Sequence, residues 1–120
     1  MNLTNRATAG DADLFTSIVT VQEITAGWLA EINRRRAGAD QLNAYRQFQH
    51  NVIAFGRITI LPFDEEAVKV FAELQRQRIR IGTMDLKIAA ICIAHDALLL
   101  SRNLADFAKI PGLRVENGLD

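Results

Sequence analysis

One apolar run constrains the fold of this chain more than any other feature. Residues 88–94 read IAAICIA and follow Thr83 and Asp85, which suit the start of a helix. A helix over residues 83–95 would be apolar on nearly all sides, so it must be buried among other elements. The run is far too short to cross a bilayer, which needs about 20 apolar residues. The chain must therefore pack other layers around this helix, and its length fits a single domain, residues 1–120.

Short apolar runs alternate with helical patterns along the rest of the chain. Strands are predicted at residues 14–21, 58–63 and 97–101, with a short last strand at 113–116. Helices are predicted from about Thr20, from about residue 40, from Asp64 and over residues 83–95, with one helical turn at 104–107. Residues 1–13 are small and polar and are expected to form a loosely ordered lead-in. Strands alternating with helices predict an α/β fold, with a parallel sheet covered on both faces.

Capping signals and the spacing of apolar residues predict where the first helix begins, where the second helix ends and which face of the second helix is apolar. Thr20 and Glu23 fit the S/T-x-x-E capping box, which predicts that the first helix begins at about Thr20. The second helix repeats apolar residues at steps of three and four, and this spacing predicts a face toward the core. The residues of that face are Leu42, Tyr45, Phe48, Val52 and Phe55. Gly56 then suits the end of the helix.

The net charge and the cysteine content limit which nucleic-acid-binding modes and which cellular compartments suit this chain. Fourteen Lys and Arg residues balance fourteen Asp and Glu residues, so the formal net charge is zero. A protein that coats nucleic acid is usually strongly basic, and any RNA contact here must come from a local patch. The single cysteine, Cys92, allows no disulfide within one chain, which suits a reducing compartment. The sequence shows no signal peptide and no membrane span, so we expect a cytoplasmic protein without membrane partners.

Three carboxylates stand where parallel sheets usually bind ligands, beyond the carboxyl ends of the strands. Glu23 follows the first predicted strand, Asp106 follows the third, and Asp85 opens the buried helix. Carboxylate and water oxygens are the ligands that Mg²⁺ prefers, and a site of this kind could activate water against a phosphodiester. The spacing therefore makes the three acids candidates for one metal site.

Each of these carboxylates also has a purely structural explanation. Glu23 would close a capping box, Asp85 would suit the positive end of its helix, and Asp106 would be an ordinary turn residue. Asp85 is the hardest to explain in this way, because it shares a helix face with Ala89. An acid at the head of an apolar stripe needs a partner, and a metal ion would serve. The residue pattern leaves both interpretations open.

Three segments, in order, resemble VapC-like PIN-domain ribonucleases. Residues 16–24 (TSIVTVQEI) resemble the second strand and following helix of that family, and residues 80–90 (RIGTMDLKIAA) resemble the segment around its third acidic residue. Residues 101–107 (SRNLADF) resemble the family's T-R-N-x-x-D-F signature, and the Pro-Gly-Leu that begins at Pro111 resembles its usual continuation. The resemblance extends over residues 13–116.

This resemblance implies an endoribonuclease that depends on Mg²⁺ or Mn²⁺. It also implies the toxin of a toxin–antitoxin pair, often a homodimer, which cleaves RNA unless its cognate antitoxin holds it inactive. The implied catalytic and metal-binding acids are Glu23, Asp85 and Asp106. The implied supporting polar groups are Thr83 and Asn103, and the candidate RNA contacts are Arg80 and Arg102.

One part of the family pattern has no counterpart in this sequence. The family begins with a central strand that ends in an aspartate and lies between the strands matching residues 14–21 and 97–101. Nothing similar precedes Leu14, and neither Asp11 nor Asp13 matches the missing acid. The resemblance therefore predicts that the first, central strand and the first catalytic aspartate are absent, so that activity is reduced or lost. The alternative is a non-catalytic, truncated toxin that binds an antitoxin or a homologous subunit.

Overall fold

A computed structural model describes residues 5–6, 14–101 and 103–117 of the chain. Its strands are β1 (Asn5–Arg6), β2 (Leu14–Ser17), β3 (Thr59–Leu61), β4 (Leu99–Leu100) and β5 (Val115–Glu116). Its helices are α1 (Ile18–Arg34), α2 (Leu42–Phe55), α3 (Glu65–Arg76), α4 (Thr83–Ala94) and α5 (Leu104–Phe107), and a 3-10 turn at Ala39–Gln41 precedes α2. This order confirms the predicted α/β class. None of the described helices is long and apolar enough to cross a membrane.

Each of the two small sheets contains one pair of parallel strands. β2 pairs in parallel with β3, with Phe15 opposite Thr59, and β4 pairs in parallel with β5. β1 pairs antiparallel with the other edge of β2 and also lies close to β4. Asn5–Arg6 thus contributes a short strand from the segment expected to be a loose lead-in, and the rest of residues 1–13 lies outside the described residues. The absence of the family's central strand stays a prediction.

The chain turns from strand to helix earlier than the sequence predicts. β2 ends at Ser17 and α1 begins at Ile18, so a strand as far as residue 21 is wrong. Ser17 causes the early start, because its Oγ accepts a hydrogen bond from the Thr20 backbone N–H at 3.0 Å and so satisfies a free donor of the first turn. The predicted capping box is wrong for the same reason. Glu23 lies in the second turn of α1, beyond the cap.

The helix α4 is the buried centre of the domain, as its all-apolar sequence predicts. Its buried side chains are those of Leu86, Ile88, Ala89, Ala90, Ile91 and Cys92. Its most extensive packing is against α3, where Ala67 has no exposed surface. Burial raises the pKa of the Cys92 thiol to about 12, so Cys92 is an unreactive core residue at neutral pH.

The helix α2 buries much less of its surface than its periodicity predicts. Ala44 and Phe55 are its buried residues, whereas Leu42, Tyr45 and Val52 are 51%, 53% and 53% exposed. The prediction that these three side chains face the core is wrong. The helix packs chiefly against α1, and this contact leaves an apolar side of α2 uncovered. Periodicity identifies an apolar side of a helix, but it does not supply an element to cover that side.

Candidate functional site

The three predicted acids lie on three different helices. Glu23 is in the second turn of α1, directly after β2, and Asp85 is in the first turn of α4. Asp106 is in α5, which follows β4. We call Glu23, Asp85 and Asp106 the acidic cluster. Because α1 packs against α4, the first two acids approach each other across a helix contact.

Glu23 and Asp85 repel each other. Partial removal from water raises the pKa of Glu23, and the negative charge of Asp85 raises it further. The structure thus places these acids near enough for their charges to interact. Among the described residues, the net effect of the surroundings of Glu23 is to disfavour its charged form.

Asp85 interacts electrostatically with both of the other acids, Glu23 and Asp106. Burial raises its pKa, and the negative charge of Asp106 raises it further. A carboxylate in the first turn of a helix is normally favoured by the helix dipole. At Asp85, desolvation and the charge of Asp106 act in the opposite direction and raise the pKa. The charge of Asp85 is poorly compensated by the described residues, and a cation would relieve that cost.

Two side-chain donors hold Asp106, the third acid of the cluster. Asn103 Nδ2 donates to one carboxylate oxygen at 2.9 Å, and Lys109 Nζ donates to the other at 3.3 Å. These two hydrogen bonds, that of Asn103 first, lower the pKa of Asp106. Asp106 is therefore the most readily ionised acid of the cluster.

The other predicted site residues differ in how they relate to the cluster. Asn103 joins it through its bond to Asp106. Thr83 is the exposed first residue of α4, and Arg80 is exposed in the loop before it; neither side chain makes a hydrogen bond or ion pair with the described residues. Arg102 lies outside the described residues. Roles for Thr83, Arg80 and Arg102 stay predictions.

The acidic cluster offers carboxylate oxygens, the ligands that a divalent ion such as Mg²⁺ prefers. Within residues 5–6, 14–101 and 103–117, no three His, Cys, Asp or Glu side chains lie close enough together to hold one ion. A three-carboxylate cage is therefore not formed there. Mg²⁺ needs less, because it is commonly bound through one or two carboxylates and keeps several waters. Asp85 and its two neighbouring acids are carboxylate donors of that kind, so the chemistry of the donor set fits a partly hydrated divalent ion.

Lys109 is a contact of the cluster that the sequence analysis did not identify. It stands three residues after Asp106 and pairs with that carboxylate at 3.3 Å. Its Nζ also donates to the backbone carbonyl of Arg80 at 3.5 Å. In a helical segment, an acidic and a basic side chain three residues apart can form an ion pair. That spacing is the signal by which the sequence could have identified Lys109.

The sequence of this chain matches one protein-family model over most of its length. The family model of the PIN domain matches residues 3–113. The chain belongs to the PIN-domain family. This match confirms the resemblance carried by the three segments, and it begins well before residue 13, where the resemblance was expected to start.

Curated relatives of this PIN domain match it over about half of their length. Ribonuclease VapC1 of Rickettsia felis is 49% identical over 61 residues, which cover 48% of this chain and 46% of that protein. The tRNA(fMet)-specific endonuclease VapC of Salmonella typhimurium is 31% identical over 65 residues, covering 51% of this chain and 49% of that protein. These relatives make the PIN domain VapC-like in sequence.

A solved structure supports the same fold. A chain of VapBC2 from Rickettsia felis, crystallised with a DNA fragment from the promoter of that pair, superposes with a TM-score of 0.66 at 23% identity. The match covers 87% of this chain and 74% of that chain. At this identity the likeness establishes the shared fold.

Proposed function

We propose that this PIN domain is an endoribonuclease that depends on Mg²⁺ or Mn²⁺. The observation that carries the proposal is the acidic cluster, in which Asp85 interacts with both Glu23 and Asp106. Glu23 and Asp85, whose charged forms are disfavoured by burial and by a neighbouring acid, suit binding of a divalent cation. RNA as the substrate is supported by sequence likeness to proteins named ribonuclease and tRNA(fMet)-specific endonuclease.

The residues of the chain would divide the work of this site. Asp85 would bind the ion together with Asp106 or Glu23, and Asn103 would hold the Asp106 carboxylate in place. When bound, the ion supplies Lewis-acid stabilisation of the phosphodiester. Arg80 would contact RNA phosphates from its exposed loop. Because the resemblance predicts that the family's first catalytic aspartate is absent, the proposal includes a reduced rate of RNA cleavage.

The proposed biological setting is a toxin–antitoxin pair in the cytoplasm. Support comes from the fold neighbours, which include chains of VapBC2 from Rickettsia felis and of a toxin–antitoxin complex from Klebsiella pneumoniae. By this proposal the chain is the toxin component, and a cognate antitoxin protein binds it and blocks RNA cleavage.

The purified chain is expected to cleave a structured RNA in Mn²⁺ or Mg²⁺ and to lose that activity in EDTA. The Glu23→Gln variant is expected to cleave at least ~10-fold more slowly, because it weakens the site that holds the ion. Glu73→Gln is the matched control, since Glu73 pairs with Arg76 on α3. Gel analysis of the RNA over time measures each rate. A folded wild-type chain that leaves RNA intact with both ions would exclude the nuclease proposal for this form.

The uncovered side of α2 favours a second candidate function, that of a non-catalytic binding module. Leu42, Tyr45, Val52 and Ile53 lie on one side of α2, and each is about half exposed. An apolar groove of about 540 Å³, lined mainly by α1 and Phe63, adds to the exposed apolar surface. Apolar patches of this kind commonly mark protein–protein contacts. We propose that a second copy of the chain covers α2 in a homodimer.

In sedimentation velocity, the chain is expected to behave as a dimer that Val52→Glu dissociates. A charge placed in a buried apolar contact costs several kcal/mol, so at least ~10-fold weaker association is expected. Val68→Glu is the control, because Val68 is 47% exposed and lies on a different helix, α3. A wild-type chain that sediments as a monomer would remove the homodimer from the proposal.

A further inference from the structure

Lys109 connects the two segments that carry Asp106 and Asp85. Its Nζ lies 3.3 Å from Asp106 Oδ1 and 3.5 Å from the carbonyl oxygen of Arg80. Arg80 belongs to the loop that leads into α4, and Asp85 is in the first turn of that helix. An ammonium group has three donors, so both contacts can be made at once. The side chain thus joins positions 29 residues apart in the sequence.

These contacts leave Asp106 able to bind a further partner. Asn103 donates to Oδ2 and Lys109 donates to Oδ1, yet each carboxylate oxygen can accept more than one bond. Lys109 also brings a positive charge to Asp106, the acid whose negative charge acts on Asp85. It therefore orients Asp106 and ties it to the loop that leads into α4, without using up the carboxylate.

We propose that Lys109 is a positioning residue of the metal site, which holds the Asp106 carboxylate against the Arg80 loop so that Asp106 and Asp85 face one divalent ion. This inference rests on the proposed function, because it takes the two acids as the ligands of that ion. Mutating a residue that orients a metal ligand typically costs ~10–100-fold in metal affinity or activity.

Direct Mn²⁺ binding, followed through the electron paramagnetic resonance signal of the free ion, tests this role. The Lys109→Met variant is expected to bind Mn²⁺ ~10-fold more weakly than the wild type. Lys109→Arg keeps a charged donor and is expected to recover most of the affinity. Lys69→Met is the matched control, because Lys69 forms the same i, i+3 pair with Glu66 at 3.3 Å on α3. Thermal unfolding in EDTA checks that each variant is folded, and Lys109→Gln replaces Lys109→Met if the latter does not fold.

A double-mutant cycle separates positioning from other roles. If Lys109 acts through Asp106, Lys109→Met costs no further Mn²⁺ affinity once Asp106→Asn is present. Unchanged or tighter Mn²⁺ binding by Lys109→Met would overturn the inference. So would weaker RNA binding in EDTA with intact Mn²⁺ affinity, since that result would make Lys109 a phosphate contact. A wild-type chain that does not bind Mn²⁺ would instead contradict the proposed function itself.

Discussion

Replacing Asp85 with asparagine is expected to slow RNA cleavage strongly and to make the fold more stable. The negative charge of Asp85 raises the pKa of Glu23, and the negative charge of Asp106 raises the pKa of Asp85. Replacing Asp85 therefore removes the acid that takes part in both interactions. A bound metal ion contributes several kcal/mol to stabilising the transition state, and about 1.4 kcal/mol is a factor of ten. Cleavage is therefore expected to fall at least ~100-fold. The same RNA assay in Mn²⁺ measures this loss.

The gain in stability follows from the raised pKa of Asp85. Burial, and then the charge of Asp106, move this pKa above its ordinary value of 3.8, so the folded protein binds the proton more tightly than the unfolded chain does. Ionisation of Asp85 therefore destabilises the fold; the effect is absent below the ordinary pKa and complete above the raised one. In EDTA at pH 7, Asp85→Asn is expected to raise Tm. That gain should shrink as the pH falls toward 3.8.

Glu65→Gln is the control for this double effect. Glu65 and Asp85 both stand in the first turn of a helix, so both substitutions remove the same favourable interaction with a helix dipole. The control is expected to leave cleavage unchanged and to lower Tm slightly, opposite in sign to Asp85→Asn. A Tm that falls in Asp85→Asn would show that the charge of Asp85 is compensated within the protein, and would weaken the case for a metal ion there.

The sequence predicts those parts of the fold whose cause is local or compositional. An all-apolar run can only be buried, and α4 is buried over its length. Asp64 caps α3, as predicted, because its Oδ1 accepts the Ala67 backbone N–H at 3.1 Å. The predicted turn at 104–107 matches α5. β3, β4 and β5 are shorter than the predicted runs, because apolar residues continue past the last ladder hydrogen bonds.

The errors arise where two local patterns compete or where a distant element decides. The β-branched run 14–21 suits a strand or a buried helix, and the cap at Ser17 decides where one ends and the other begins. The apolar side of α2 stays uncovered because it lacks a packing partner, which no local pattern reports. At the site, the strand-end argument selects Glu23 and Asp106. It cannot find Lys109, whose second contact lies 29 residues away.

Ile91→Ala is expected to cause the largest loss of stability of any single truncation in α4. Ile91 is completely buried and is the largest of the fully buried side chains. Shortening a buried isoleucine to alanine removes apolar contacts and leaves a cavity, which typically costs ~2–5 kcal/mol of unfolding free energy. Because small domains are stable by only ~5–15 kcal/mol, this is a large share of the total. Urea denaturation with an unchanged m value measures it.

Two further substitutions, Ile91→Val and Val68→Ala, test whether the loss of stability in Ile91→Ala comes from burial. Ile91→Val removes one methylene and is expected to cost ~0.5–1.5 kcal/mol, between the wild type and alanine. Val68→Ala, at a position 47% exposed on α3, should change the unfolding free energy by less than ~0.5 kcal/mol. If Ile91→Ala costs no more than Val68→Ala, then α4 is not enclosed. Asp85, in the first turn of α4, would then not be partly buried. The burial that raises its pKa would be missing.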